Sequence, residues 1–365
     1  MTARLRGVLK ASSLRVQAMF GQRNMSGSIQ NTISSFSEES ISRYCPGGYH
    51  PVRLQDVFND RYVVVSKLGY GRYSTVWLVH DIKRRENKHV ALKILTADCF
   101  GASKDIFELE ILKHINECTK TSEFRSYRPI HILGLIDKFR IQGPNGIHVC
   151  LVFKAMGPDM SHYRSLFPEY RIPHPLLKSI TRQLLLALTY LHDTCNTSNH
   201  KISYLRHQNE MFEKAPPEVF KPIDTPSASP NDFYMKSEQI TSATEDITRP
   251  QNLSVKLSDF GTASWYHKHL TEWIQPEKLR APEVILGAQW DYKVDIWNLG
   301  LIIWELAEAQ FLFDGQRTPN APYTAEAHLA LISAVLGPVP EDLIHRSSQA
   351  LKYFDLEVLY AQASH

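Results

Sequence analysis

The sequence has 365 residues, 43% of them hydrophobic and 22% charged, so it is long enough for two compact domains and apolar enough to bury a sizeable core. Its net charge of +3 is concentrated at the start: five of the 41 basic residues and none of the 38 acidic ones precede Glu38, which leaves residues 38–365 at −2 and argues against a nucleic-acid-binding surface. No apolar run approaches the ~20 residues of a membrane-spanning helix, and the five scattered cysteines form no Cys-x-x-Cys pair, which points to a reducing compartment and against a structural metal.

Residues 1–37 hold Arg4, Arg6, Lys10, Arg15 and Arg23 among Leu5, Val8, Leu9, Leu14, Val16, Met19 and Phe20. Two readings of this composition stand, a mitochondrial presequence and a disordered basic tail reaching to about residue 43. Either lies outside the fold. The pattern then turns to strands at 62–68, 75–79 and 89–94, with a helix at 104–115, where Ile106, Leu109, Leu112 and Ile115 recur at helical spacing. Strands at 133–139 and 147–153 flank the turn Gly143-Pro-Asn-Gly146. Five strands and one helix are expected to form a small antiparallel lobe. Beyond Met156 the character changes to apolar helices at 176–192, 294–308 and 325–336, the last stopped by Gly337-Pro338. Residues 214–251, rich in Pro, Ser, Thr and Glu, read as a surface insert or a disordered spacer.

Three motifs carry chemistry. Leu68-Gly-Tyr-Gly-Arg-Tyr-Ser-Thr-Val76 sets small residues in a hairpin whose backbone N–H groups can approach phosphate oxygens closely. Val90-Ala-Leu-Lys93 follows, its ammonium ending an otherwise apolar strand. Asp259-Phe-Gly261 comes after the short strand 254–257 and before Ala281-Pro-Glu283 and Asp295-Ile-Trp297. Each is weak alone, but their order is specific. With Tyr49-His-Pro-Val52, Met156-Gly-Pro158 and Ile274-Gln275 ahead of Arg280, the chain from about Tyr44 to Asp355 resembles a eukaryotic protein kinase, and within that family the fungal SR-protein kinases.

The resemblance implies an α+β, bilobal protein-kinase-like fold, with a kinase domain at 55–355: N-lobe 55–153, hinge 154–157 and C-lobe 158–355. It implies ATP and Mg2+ as cofactors. Leu68, Gly69, Gly71 and Ser74 would cover the nucleotide; Val76 and Ala91 would sandwich the adenine, Phe153 would close the pocket, and Met156 would sit in the hinge. Lys93 would hold the phosphates, steadied by Glu108, whose spacing ahead of Ile111, Leu112 and Ile115 matches the family's helix, with Glu110 as the alternative. Asp259 and Asn209 would hold the metal. The implied partner is a protein substrate of the Arg-Ser-rich kind, with no direct nucleic acid and no membrane. A monomer in the cytoplasm or nucleus is expected.

Two departures bear on activity. Where the family has His-x-Asp-Leu-x-x-x-Asn, register from Leu205 and Asn209 sets Tyr204 on the catalytic Asp, Ser203 in the middle and Ile202 on the His. A phenol of pKa near ~10 is a poor base, and His200 and His207 are the nearby substitutes. The family also continues past Asp355 through two helices whose Arg pairs with Glu283, so a shortened C-lobe and a Glu283 without its buried cation are expected here. Three functions remain open: a serine/threonine kinase, a nucleotide-binding pseudokinase or scaffold, and an active kinase whose gene was translated imperfectly around 197–204 and 356–365.

Overall fold

The computed structural model describes residues 38–84, 89–101, 107–121, 131–157, 159–195, 197–198, 210–212, 253–265 and 268–354. The possible presequence at 1–37, the insert at 214–251 and the positions Ile202, Ser203, Tyr204, Leu205 and Asn209 lie outside them. Two compact units divide the described residues: the larger holds those from 38 to 264, and the smaller those from 265 to 354 with Ser198. The class is α+β.

The larger unit is built on an antiparallel sheet of strands β1 (Val57–Phe58), β2 (Tyr62–Gly71), β3 (Ser74–Asp81), β4 (His89–Leu95), β5 (Leu135–Gly143) and β6 (Gly146–Lys154) in the order β1-β2-β3-β4-β6-β5. Six strands stand where five were expected. The additional one, β1, has two residues and no periodicity to announce it; the chain is turned into it and out of it by Gln55, Asn59 and Asp60, all at positive φ. Strand alternation divides the sheet's side chains by face. Trp77, Val79, Val90, Leu92, Ile94, Cys150 and Val152 pack with Val52, Phe58, Tyr62 and Val64 into the core on one face. Val76, Ala91 and Lys93 therefore fall on the other.

Helix α1 (Glu108–Thr121) runs six residues beyond the expected end at 115, and buries Ile111, Leu112 and Ile115. Helix α2 (His174–Thr189) buries Leu176, Leu177, Ile180, Leu184, Ala187 and Leu188 and continues into a π-helical turn, Tyr190–Thr194. Strands β7 (Glu210–Phe212) and β8 (Val255–Leu257) pair antiparallel.

The smaller unit is organised by α3 (Lys293–Glu308) and α4 (Ala325–Leu336). Ala309 in the left-handed region closes α3, and Thr324 caps α4 by accepting the Ala327 N–H at 3.1 Å. Gln275 explains its place in the motif. Its side chain donates to Val294 O at 3.0 Å and accepts from Ala281 N at 2.7 Å, which stitches residues 275–281 to α3. Glu283 has no ion-pair partner among the described residues, and burial raises its pKa. Among the described residues no helix is long and apolar enough to cross a membrane.

His328 in α4 is fully buried beside Phe313 and Tyr323, and neither ring nitrogen has a hydrogen-bond partner among the described residues. Burial, helped by the charge of Arg280, pushes its pKa down to about 3. The unfolded chain, with a histidine pKa of ~6.5, binds this proton when the folded chain does not, so the stability due to neutral His328 is complete above that pH and lost as the pH falls towards 3. That loss should reach ~2 kcal/mol by pH 5. His50 in the larger unit, pushed down to about 4 by burial and then by His148, acts in the same direction. Denaturant midpoints should fall from pH 7.5 to 5, and less steeply in His328→Leu; equal slopes would contradict this.

Candidate active site

The sheet register aligns the candidate residues before any side chain is considered. Gly69 pairs with Val76, Val76 with Lys93 and Lys93 with Leu151, forming one row across four strands. Two residues along, in the next row on the same face, Leu78 pairs with Ala91 and Ala91 with Phe153. Leu68 is the extra residue of a bulge, since Lys67 pairs with Trp77 and Gly69 with the adjacent Val76. A Cβ added at Gly69 would meet nothing within 4 Å, so the backbone there borders open space, as a cradle for a ligand must. Ser74, Ala91, Phe153 and Met156 are buried, while Leu68, Gly71 and Val76 are half-buried.

Lys93 is held between two carboxylates. Its Nζ donates to Glu108 Oε1 at 2.6 Å and to Asp259 Oδ1 at 2.9 Å. Glu110 is exposed, so of the two acids at the start of α1 it is Glu108 that meets the lysine. Burial alone would lower the lysine's pKa, but the charges of Asp259 and Glu108 outweigh it and hold the ammonium above its ordinary value. Glu108 is 2% exposed at its side chain and Asp259 35%, so the aspartate is the carboxylate that an incoming cation can reach. One ammonium between two carboxylates leaves a net negative charge, which favours such a cation. These residues fit a magnesium-bound nucleoside triphosphate, because magnesium is characteristically held by one or two carboxylates together with substrate phosphates.

Asp259 has φ 59°, in the left-handed region that costs a non-glycine residue ~1 kcal/mol or more. Its neighbours hold it there. Gly261 N–H donates to Asp259 Oδ1 at 3.4 Å, and Ala263 N–H closes a turn onto Phe260 O at 3.0 Å; Phe260 is buried. Upstream, β8 is held on both sides. Besides β7, it exchanges backbone hydrogen bonds with His131 and Leu133, both at 2.8 Å through Leu257.

Sequence reading missed Gln183. This buried side chain of α2 donates to Leu253 O at 2.9 Å and accepts from Val255 N at 2.8 Å, locking the strand that leads to Asp259 onto the helix. The available signal was an amide on the face of α2 that also presents Leu176, Ile180, Leu184 and Ala187. A buried polar group on an apolar stripe needs a partner.

Comparison with known proteins agrees with this geometry. A protein kinase domain model matches residues 236–354. A serine/threonine protein kinase of Aspergillus fumigatus is 35% identical over 332 residues, covering 90% of this chain and 78% of the relative. The serine/threonine-protein kinase SRPK of Physarum polycephalum is 33% identical over 87% of this chain and 76% of its own. For SRSF protein kinase 3 of Homo sapiens the identity is 26%, with 86% and 79% covered. With 35% identity sustained across nine-tenths of its length, this chain belongs to the eukaryotic protein kinase family, among the kinases of the SR-protein type.

Proposed function

We propose that the chain binds ATP with magnesium at Lys93, Glu108 and Asp259, and that it transfers the γ-phosphate to serine or threonine hydroxyls of Arg-Ser-rich proteins only slowly. The observation that supports binding is the ammonium held at 2.6 and 2.9 Å between the two carboxylates. Phosphoryl transfer is governed by positioning and charge neutralisation, and the lysine–glutamate pair together with the metal-holding aspartate is the assembly it needs. Glu108 keeps the ammonium aimed, Lys93 is placed to meet the α- and β-phosphates, and Asp259, with Asn209, would hold the metal. Magnesium, when bound, supplies neutralisation of the phosphate charge.

The slow step follows from the sequence. Tyr204 stands where an aspartate would orient the substrate hydroxyl and accept its proton, and a neutral phenol does neither well at pH 7. Purified full-length protein incubated with γ-labelled ATP and an Arg-Ser peptide is expected to bind the nucleotide and label the peptide weakly, if at all. Rapid labelling that Tyr204→Phe leaves unchanged would overturn the assignment of the base, and its loss in His207→Ala would give that role to the histidine.

A further inference from the structure

The segment that precedes the sheet is tied to the tip of the glycine hairpin. Gly71 pairs with Ser74, leaving Arg72 and Tyr73 as a two-residue tip. The three successive carbonyls of Gly71, Arg72 and Tyr73 are all taken up. Gly71 O accepts from the Tyr49 hydroxyl at 2.8 Å, Arg72 O from the Arg43 guanidinium at 3.2 Å, and Tyr73 O from Thr96 N at 2.9 Å. The Arg43 guanidinium also lies 5.4 Å over the Tyr49 ring. Below the tip, buried Lys67 donates to Glu38 at 2.9 Å and to Glu39 at 2.5 Å, and Glu39 accepts from the Tyr44 hydroxyl at 2.5 Å.

The strap is itself anchored to the sheet. Gly47 O and Gly48 O accept from Asp98 N at 2.8 Å and Ala97 N at 3.0 Å, and Asn145 Nδ2 donates to Tyr49 O at 2.7 Å. Gly47 has φ +82°, and a Cβ at Gly48 would lie 1.9 Å from Arg43 O, so both glycines are required for this path.

The direction of these bonds has a chemical consequence. In a trans peptide the carbonyl of one residue and the N–H of the next point opposite ways, and no peptide bond among the described residues is cis. Binding the carbonyls of Gly71 and Arg72 to the strap therefore turns the N–H groups of Arg72 and Tyr73 away from it. Those are backbone donors of the hairpin that would cover the phosphates.

We infer that residues 38–49 form a strap that sets the orientation of the glycine-hairpin donors, and that Tyr49 and Arg43 are positioning residues for the nucleotide phosphates. The inference rests on the nucleotide-binding reading above. Its test is the ratio of affinities for MgATP and for adenosine, which lacks phosphates, measured calorimetrically on the full chain. Tyr49→Phe keeps the buried ring and removes the hydroxyl that donates to Gly71 O at 2.8 Å and, more weakly, to Arg72 O at 3.4 Å; it should weaken MgATP about fivefold and leave adenosine unchanged, with Arg43→Met acting in the same direction. A purely structural role would lower the melting temperature and leave the ratio as in wild type, which would overturn the inference alone. Wild type that does not prefer MgATP to adenosine would overturn the binding reading and the strap with it. If Tyr49→Phe fails to fold, the same ratio in Arg43→Met decides.

Discussion

Tyr204→Asp should raise γ-phosphate transfer to an Arg-Ser peptide by about 10²–10⁴-fold, the range that a positioned general base contributes. The substitution changes neither the Lys93–Glu108 pair nor Asp259, so MgATP affinity should stay within a factor of about two while kcat rises. A gain confined to KM would mean that residue 204 contacts substrate without handling its proton. No gain in a folded, ATP-binding variant would place the limiting defect elsewhere in the chain.

Lys93→Met should be the most damaging single change to the larger unit. It leaves Glu108, 2% exposed, and Asp259 facing each other without the ammonium that neutralises them. Breaking a buried pair by removing one partner costs ~3–5 kcal/mol, a fall in melting temperature on the order of 10 °C for a unit of this size. Adding Glu108→Gln, which removes the buried charge and keeps the side chain's shape, should recover part of that fall. A double variant as unstable as Lys93→Met would show that packing of the lysine stem, not charge, accounts for the loss.

Much of this architecture was legible in the sequence, for reasons that particular residues make plain. The strands carrying Val76 and Lys93 were visible because runs rich in Val, Leu and Ile are bounded by glycine and charged turns, and the alternation of side chains along a strand separates Trp77 and Leu92 in the core from Val76 and Lys93 on the site face. Spacing ahead of Ile111, Leu112 and Ile115 favours Glu108 over Glu110 as the partner of Lys93. Burial distinguishes the two acids physically, since Glu108 lies against the lysine and Glu110 is exposed. Gln183 and Tyr49 escaped because their work is hydrogen bonding to backbone far away in sequence, 70 and 22 residues distant respectively, and no local pattern records such a partner. The strand Val57–Phe58 escaped because two residues are too few to show a period.

If Lys93, Glu108 and Asp259 bind ATP through magnesium, the melting temperature of the full chain should rise as it is titrated with ATP. With magnesium in excess, ATP at a hundred times its dissociation constant should stabilise the fold by ~2.7 kcal/mol, seen as an upward shift of several degrees. Chelation of the magnesium, or Asp259→Ala, should remove most of that shift. Well-folded wild-type protein whose melting temperature is unmoved by MgATP at millimolar concentration would show that these residues do not form such a site.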